Sequence, residues 1–180
     1  MSSKAKIIAL VLALSLLQAC ASAARSERMI PENIIPVTTA QPVLMTVESV
    51  GGGSATNPMF SSQVGDAEFR QALSETLSAA GLSNPSASAQ NTFSVDASLT
   101  GLSDPLFGVS FTVESEVYYR VTRTSDSTDI FAESINASGT AQFGESLIGV
   151  ERLRMAKEYS IRENISAFIE KIVSILNTSQ

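Results

Sequence analysis

The 180-residue chain has no histidine and a single cysteine, Cys20. Those two scarcities exclude imidazole and thiolate metal cages, Cys-His and Ser-His nucleophile pairs, and any disulfide framework within one chain. Basic residues are also few. Twelve Lys and Arg stand against eighteen Asp and Glu, a net charge of −6, and no basic block occurs. Phosphate backbones are gripped by a Lys/Arg surface, so no nucleic-acid partner is expected. Aromatics supply 6% and charged residues 17%, but 44% of the chain is hydrophobic, enough for a core and too much for wholesale disorder. The length leaves room for one domain.

What is present starts at the N-terminus. Lys4 and Lys6 precede an apolar run over residues 7–17. A bilayer span takes about 20 apolar residues, so this run has the length of a secretory h-region instead. No later segment is apolar enough to span. The stretch Leu17-Gln18-Ala19-Cys20 resembles the bacterial lipobox, with Leu three positions before a Cys and a small residue next to it. The resemblance implies cleavage between Ala19 and Cys20 and lipidation of Cys20 on its sulfur and amine. A second possibility stands beside it. Ala21-Ser22-Ala23 offers an Ala-x-Ala site to an ordinary signal peptidase, and Cys20 would then leave with the signal.

One acyl chain holds a protein on a membrane only marginally, at about 0.8 kcal/mol per buried CH₂. The lipoprotein modification supplies several chains on one residue. Loss of residues 1–19 leaves ten basic and eighteen acidic residues, net −8. Anionic lipid therefore does not draw the body, and the anchor must hold it. Ala21 stands where enterobacterial lipoproteins carry an Asp-type retention signal, so the resemblance implies the outer membrane, with the body facing the periplasm.

The mature chain divides into a lipidated N-terminus and tether, residues 20–41, and a single domain, residues 42–180. Pro31 and Pro36 interrupt regular structure in the tether. Its apolar residues Met29, Ile30, Ile34 and Ile35 leave open whether it packs back on the domain. Val43, Met45 and Val47 alternate, predicting a strand over 42–50 that the glycines at 51–53 end. A phosphate-cradling loop would need a Gly-Lys-Ser/Thr ending before a helix, and none follows. Asp66 is expected to cap a helix carrying Phe69, Leu73, Leu77 and Ala80 at helical spacing, with Gly81 as its stop. Phe93, Val95, Ala97 and Leu99 form the next strand. Val109 to Thr122 alternate over the longest stretch, so one face is buried and the other wet. At about 3.3 Å per residue that strand reaches some 40 Å, and a bend or bulge is expected along it. Residues 123–128 form a hairpin turn, and 130–143 return as a strand. Ile161, Ile165, Phe168, Ile172 and Leu176 stripe a helix over 148–176. Arg154, Glu158 and Arg162 line its other side as a solvated face.

The order β-α-β-β-β-α predicts an α/β (α+β) two-layer sandwich. Its four-stranded sheet is mixed but mostly antiparallel, with two helices on one face. Phe69-Arg70-Gln71-Ala72-Leu73 followed by Gly81-Leu82, together with Arg162-Glu163-Asn164-Ile165, resemble the helix signatures of small periplasm-facing lipoproteins. Examples are the transport-auxiliary lipoproteins and the YajG-like group. The resemblance implies an accessory role in envelope assembly or transport and carries over no functional residue beyond Cys20.

The remaining chemistry is sparse. General bases are limited to Asp, Glu, Lys and Tyr, and the mature chain has only Lys157 and Lys171, neither in Ser-x-x-Lys. Glu114 and Glu116 share the wet face of one strand about 6–7 Å apart, a glycosidase-like spacing. An open sheet face, however, offers water rather than a cleft that shifts pKa values. Asp126 and Asp129 fall in a turn, where Asp is expected for backbone reasons. No enzyme activity, cofactor or metal is expected. Glu114, Glu116, Tyr118 and Arg120 are the expected partner surface for another envelope protein. The alternative, a carrier of lipid or another apolar ligand, requires a cavity lined by Phe111, Val113, Phe168 and Ile172. Oligomeric state leaves no mark on the sequence.

Overall fold

The computed structural model describes residues 22–34, 36–39, 41–56, 62–105 and 108–178. The signal segment, Ala19 and Cys20 lie outside them. The elements are α1 (Ser26–Met29), β1 (Leu44–Gly51), α2 (Asp66–Ala79), β2 (Thr92–Leu102), β3 (Phe111–Arg123), β4 (Thr128–Ala141) and α3 (Gly149–Thr178). Short 3-10 turns, Ala89–Asn91 and Phe143–Glu145, precede β2 and α3. The sheet order is β1-β2-β3-β4; β1 pairs parallel with β2, and the other two pairings are antiparallel. The expected mixed sheet with its helical layer is what forms.

Alternation builds the core. Phe93, Val95 and Ala97 of β2, Val117, Tyr119 and Val121 of β3, and Phe131 and Ile135 of β4 bury one sheet face. Phe69, Leu73 and Leu77 of α2 and Ile161, Ile165, Phe168 and Ile172 of α3 cover it. Tyr119 stacks on Phe168 with ring centroids 4.2 Å apart. Its hydroxyl donates to Asn164 Oδ1 at 3.0 Å, and the Asn164 amide donates to the Ile135 carbonyl at 2.8 Å. Helix and sheet are thus locked by a satisfied polar pair inside the apolar layer. At Gly139 of β4 the contact is backbone to backbone. A Cβ there would stand 2.2 Å from the Ser160 nitrogen and 2.7 Å from the Ala156 carbonyl oxygen.

Bulges appear at three places: in β1 between Val47 and Ser49, in β2 between Leu99 and Gly101, and where Val121/Thr122 of β3 meet β4. The first is capped from outside, where Arg70 of α2 donates to the Val47 and Glu48 carbonyls at 2.9 and 3.0 Å. Met45 and Val43 also exchange backbone bonds with Leu82 and Asn84, so the free edge of β1 is covered. β4 is the other edge of the sheet.

One expectation needs correction at α2. Asp66 does not cap the helix: Gly65 holds the N-cap position, and the Asp66 carboxylate accepts the Gly53 amide at 2.7 Å. The glycines at 51–53 do end β1. Gly52 takes φ +82°, and a Cβ there would meet the Leu99 carbonyl oxygen at 2.1 Å, so the chain leaves β1 across the end of β2. Gly81, at φ +77°, ends α2 as expected. The Gly81 and Leu82 amides bond back to Ser78 and Leu77, a Schellman closure.

Candidate functional site

Two surfaces bear on the sequence expectations: the wet face of the sheet, and the side of α3 under the N-terminal segment. The structure puts Glu114, Glu116, Tyr118 and Arg120 on the face of β3 opposite the helices, with Glu114 and Arg120 exposed and Glu116 and Tyr118 half-buried. Register sets their neighbours. Asp96 of β2 stands opposite Arg120, Ser98 opposite Tyr118, and Asn136 of β4 opposite Glu116. Arg120 pairs with Asp129 across the strand at 3.8 Å, and Thr122 donates to the same carboxylate at 2.7 Å. Hydrogen bonding to Tyr118, then the charges of Asp129 and Asp96, raise the Arg120 guanidinium above its ordinary pKa. Asp96 in turn accepts from Ser49 of β1. These groups rim a shallow depression of about 270 Å³ that Ser49, Asp96, Tyr118 and Arg120 share. Such an array of paired, solvated charges can offer hydrogen bonds to a partner.

The second surface departs from the sequence reading. The side of α3 expected to be solvated is buried: Glu158 has no exposed surface and Arg154 very little. The N-terminal segment covers it. Glu158 Oε1 accepts the Arg25 amide at 2.9 Å and faces the Arg25 and Arg154 guanidinium groups at 3.5 and 3.4 Å. Arg154 also donates to Ser22 and pairs with Glu151. Further along, Arg162 lies over the Tyr159 ring and binds Glu32 at 2.7 Å. Met29 is fully buried, and Ala24, Ser26, Ile30 and Ile34 also pack on the body, which resolves the open question for Met29, Ile30 and Ile34; Ile35 lies outside the described residues. Lys157 of the same helix is buried too. Its ammonium binds the Ser62 carbonyl at 2.9 Å and the Asp104 carboxylate at 3.0 Å. Ala24 donates its amide to Gln63, so strap and loop are sewn to the same turn of α3.

The four residues expected to line a ligand cavity are divided between two packed clusters. Phe168 and Ile172 are buried in the main core, Val113 in a smaller cluster beside Ala141 and Ala156, and Phe111 packs against the latter. An open groove of about 370 Å³ lies elsewhere, between the N-terminal segment, α2 and α3. Ile34, Val37, Ile169 and Val173 supply its apolar lining. Among the described residues no helix is long and apolar enough to cross a membrane.

No family model and no curated protein matches this chain. Its fold recurs in solved structures. Protein XCC0632 of Xanthomonas campestris, of the family DUF330, is 10% identical with TM-score 0.55, over 86% of this chain and 93% of that one. The hypothetical protein CT253 of Chlamydia trachomatis is 11% identical with TM-score 0.52, over 74% of this chain and 97% of that one. Lipoprotein GNA1162 of Neisseria meningitidis matches more loosely, with 12% identity, TM-score 0.33, and 73% of this chain over 98% of that one. At such identities the likeness to the first two is one of fold.

Proposed function

We propose that the protein is a non-enzymatic outer-membrane lipoprotein, held through lipidated Cys20, that serves as an accessory component of an envelope assembly or transport system. The observation that carries this reading is Leu17-Gln18-Ala19-Cys20 directly behind an h-region of signal-peptide length. The strap supports it. Ser22 and Ala24 are bonded to Arg154 and Gln63, so cleavage before Cys20 leaves these strap contacts whole. The docking surface is the wet sheet face, with Glu114, Glu116, Tyr118 and Arg120, together with the neighbouring β4 edge. Strand edges add a partner's strand readily, and the β1 edge is covered.

Crosslinking in the intact envelope followed by affinity capture tests the role. A partner band that weakens when Tyr118→Ala and Arg120→Ala are combined supports it; recovery of the protein alone, at its own mass, contradicts it. A second reading, carriage of an apolar ligand, draws on the groove beside Ile34 and Val173, whose volume falls in the ligand-pocket range of roughly 300–1,000 Å³. Lipid extracted with the purified protein, and lost in Val173→Glu, would favour it. An empty protein would remove it.

A further inference from the structure

Five large apolar side chains are exposed among the described residues, and all five gather at one end of the molecule. Val109 leads into β3, Phe143 sits in the 3-10 turn after β4, and Leu147, Ile148 and Val150 open α3. Leu147 is 81% exposed and Val109 68%. The loops that carry them are joined. Ser110 donates to Gln142 at 3.0 Å, and Arg152 lies over both Phe143 and Phe111, at 5.1 and 5.6 Å, while donating to the Ser146 carbonyl. Exposed apolar residues scattered singly are ordinary; a set confined to one end marks a contact surface.

The described chain begins at this same end, two residues after Cys20 in the sequence. Ser22 accepts from Arg154, one helical turn beyond Val150, and Ala24 is buried against Gln63. Ser22, already fixed to Arg154, follows Cys20 by two residues, so an anchor there lies within about 7 Å of the fixed body, at 3.3–3.6 Å per residue. A leash that short is no longer than the headgroup layer is deep, roughly 5–8 Å on each side, and cannot hold the body clear of it.

We propose that this end is a membrane-contact face, with Val109, Phe143, Leu147, Ile148 and Val150 seated in the interface of the leaflet that holds the anchor. The proposal rests on lipidation of Cys20. Contact is apolar rather than electrostatic, because the mature chain is net −8. Interfacial apolar groups settle about 5–10 Å into the headgroup and acyl boundary. The strands then stand upright on the membrane. The β3–β4 hairpin at Arg123–Thr128 points away from it by some 40 Å, and the wet sheet face looks sideways into the periplasm.

The chain has no tryptophan, so one can be introduced as a sole reporter. Full-length protein carrying Leu147→Trp, and a second carrying Ser125→Trp in the far hairpin, are purified from membranes. Each is reconstituted in phosphatidylethanolamine/phosphatidylglycerol vesicles, with and without lipid brominated near the headgroup end of the acyl chain. Both positions are exposed, so neither substitution disturbs the core. The expected result is blue-shifted, bromine-quenched emission from Leu147→Trp, unchanged in high salt, and water-like, unquenched emission from Ser125→Trp. Flotation of the same samples separates the two failures. Protein that does not float with the vesicles overturns the anchor and this face together. Protein that floats but shows equal, unquenched emission at both positions overturns the face alone. Emission from Leu147→Trp that is blue-shifted yet unquenched places a protein, such as a second copy, on this surface and overturns it as well.

Discussion

At Gly139 helix α3 and strand β4 meet backbone to backbone, and the missing side chain permits that approach. An added methyl would press on backbone atoms of Tyr159 and Ser160, which cannot rotate away. Gly139→Ala is expected to cost about 2–3 kcal/mol as an overpacked site, a Tm loss of roughly 5–10 °C for a domain of this size. An unchanged melting curve would contradict that close approach. Tyr119 makes a second residue-scale case. Burial pushes its phenol well above the usual 10.0, while in the unfolded chain it titrates normally. The neutral form is the one the fold prefers, so its contribution is whole below about pH 10 and declines above it as the unfolded state ionises. Tyr119→Phe is expected to be less stable at neutral pH by about 1–3 kcal/mol, since the Asn164 acceptor loses its donor. Its alkaline decline, followed by circular dichroism, is expected to be shallower. An identical alkaline slope would refute the assignment. At the α3 entrance, the Tyr159 hydroxyl and the Gln142 amide both donate to Glu145 and hold its carboxyl below the ordinary range. Depression of a carboxyl adds stability that is present above its unfolded pKa and lost as pH falls through the folded one. In Tyr159→Phe the Glu145 titration, read by NMR, is expected to move upward; an unmoved curve would show that the hydroxyl does not act on it.

At the scale of elements, the N-terminal strap is the feature the sequence concealed. Alternation made β3 legible because one face of it is buried and the other wet, and Gly81 marked its helix end through the left-handed backbone it supplies. The side of α3 bearing Arg154 and Glu158 was misread for a physical reason. Opposite charges four residues apart stabilise an exposed helix and fill a buried ionic pocket equally well, and the pattern is the same in both. What decides between them is the cover, and residues 24–34 carry no helical or strand period to announce it. A usable signal did exist in Met29, Ile30 and Ile34, apolar residues a free tether has no use for. Because Met29 is fully buried and Glu158 faces two guanidinium groups, the strap can be loosened from either side. Met29→Ala is expected to cost about 2–5 kcal/mol if the whole protein unfolds as one unit. Both Met29→Ala and Glu158→Gln are expected to expose the bonds after Arg25 and Arg28 to trypsin. Equal cleavage rates in wild type and variants would mean that the strap is not held by these contacts.

On the scale of the whole molecule, the parts fall into a polar arrangement. The start of the strap, the helix starts and the apolar loops occupy one end, the β3–β4 hairpin the other, and the paired charges around Arg120 stand on the side between them. The sheet and its wet face could be read from residue spacing alone. The apolar end could not, since Val109, Phe143 and Leu147 come from separate loops that only the fold assembles. Arg120 and Tyr118 sit on a stable, solvated face, so replacing both with alanine is expected to leave the Tm within a degree or two, as surface changes do, while reducing capture of an envelope partner. A large drop in Tm would assign them to structure instead. All of this presumes a body moored at its first mature residue. Intact-mass measurement of the protein extracted from bacterial membranes addresses that most directly. The mass expected is that of residues 20–180 plus several acyl chains, falling to the unprocessed, unacylated precursor in Cys20→Ala; a wild-type chain of unmodified mass beginning beyond Cys20 would contradict the account.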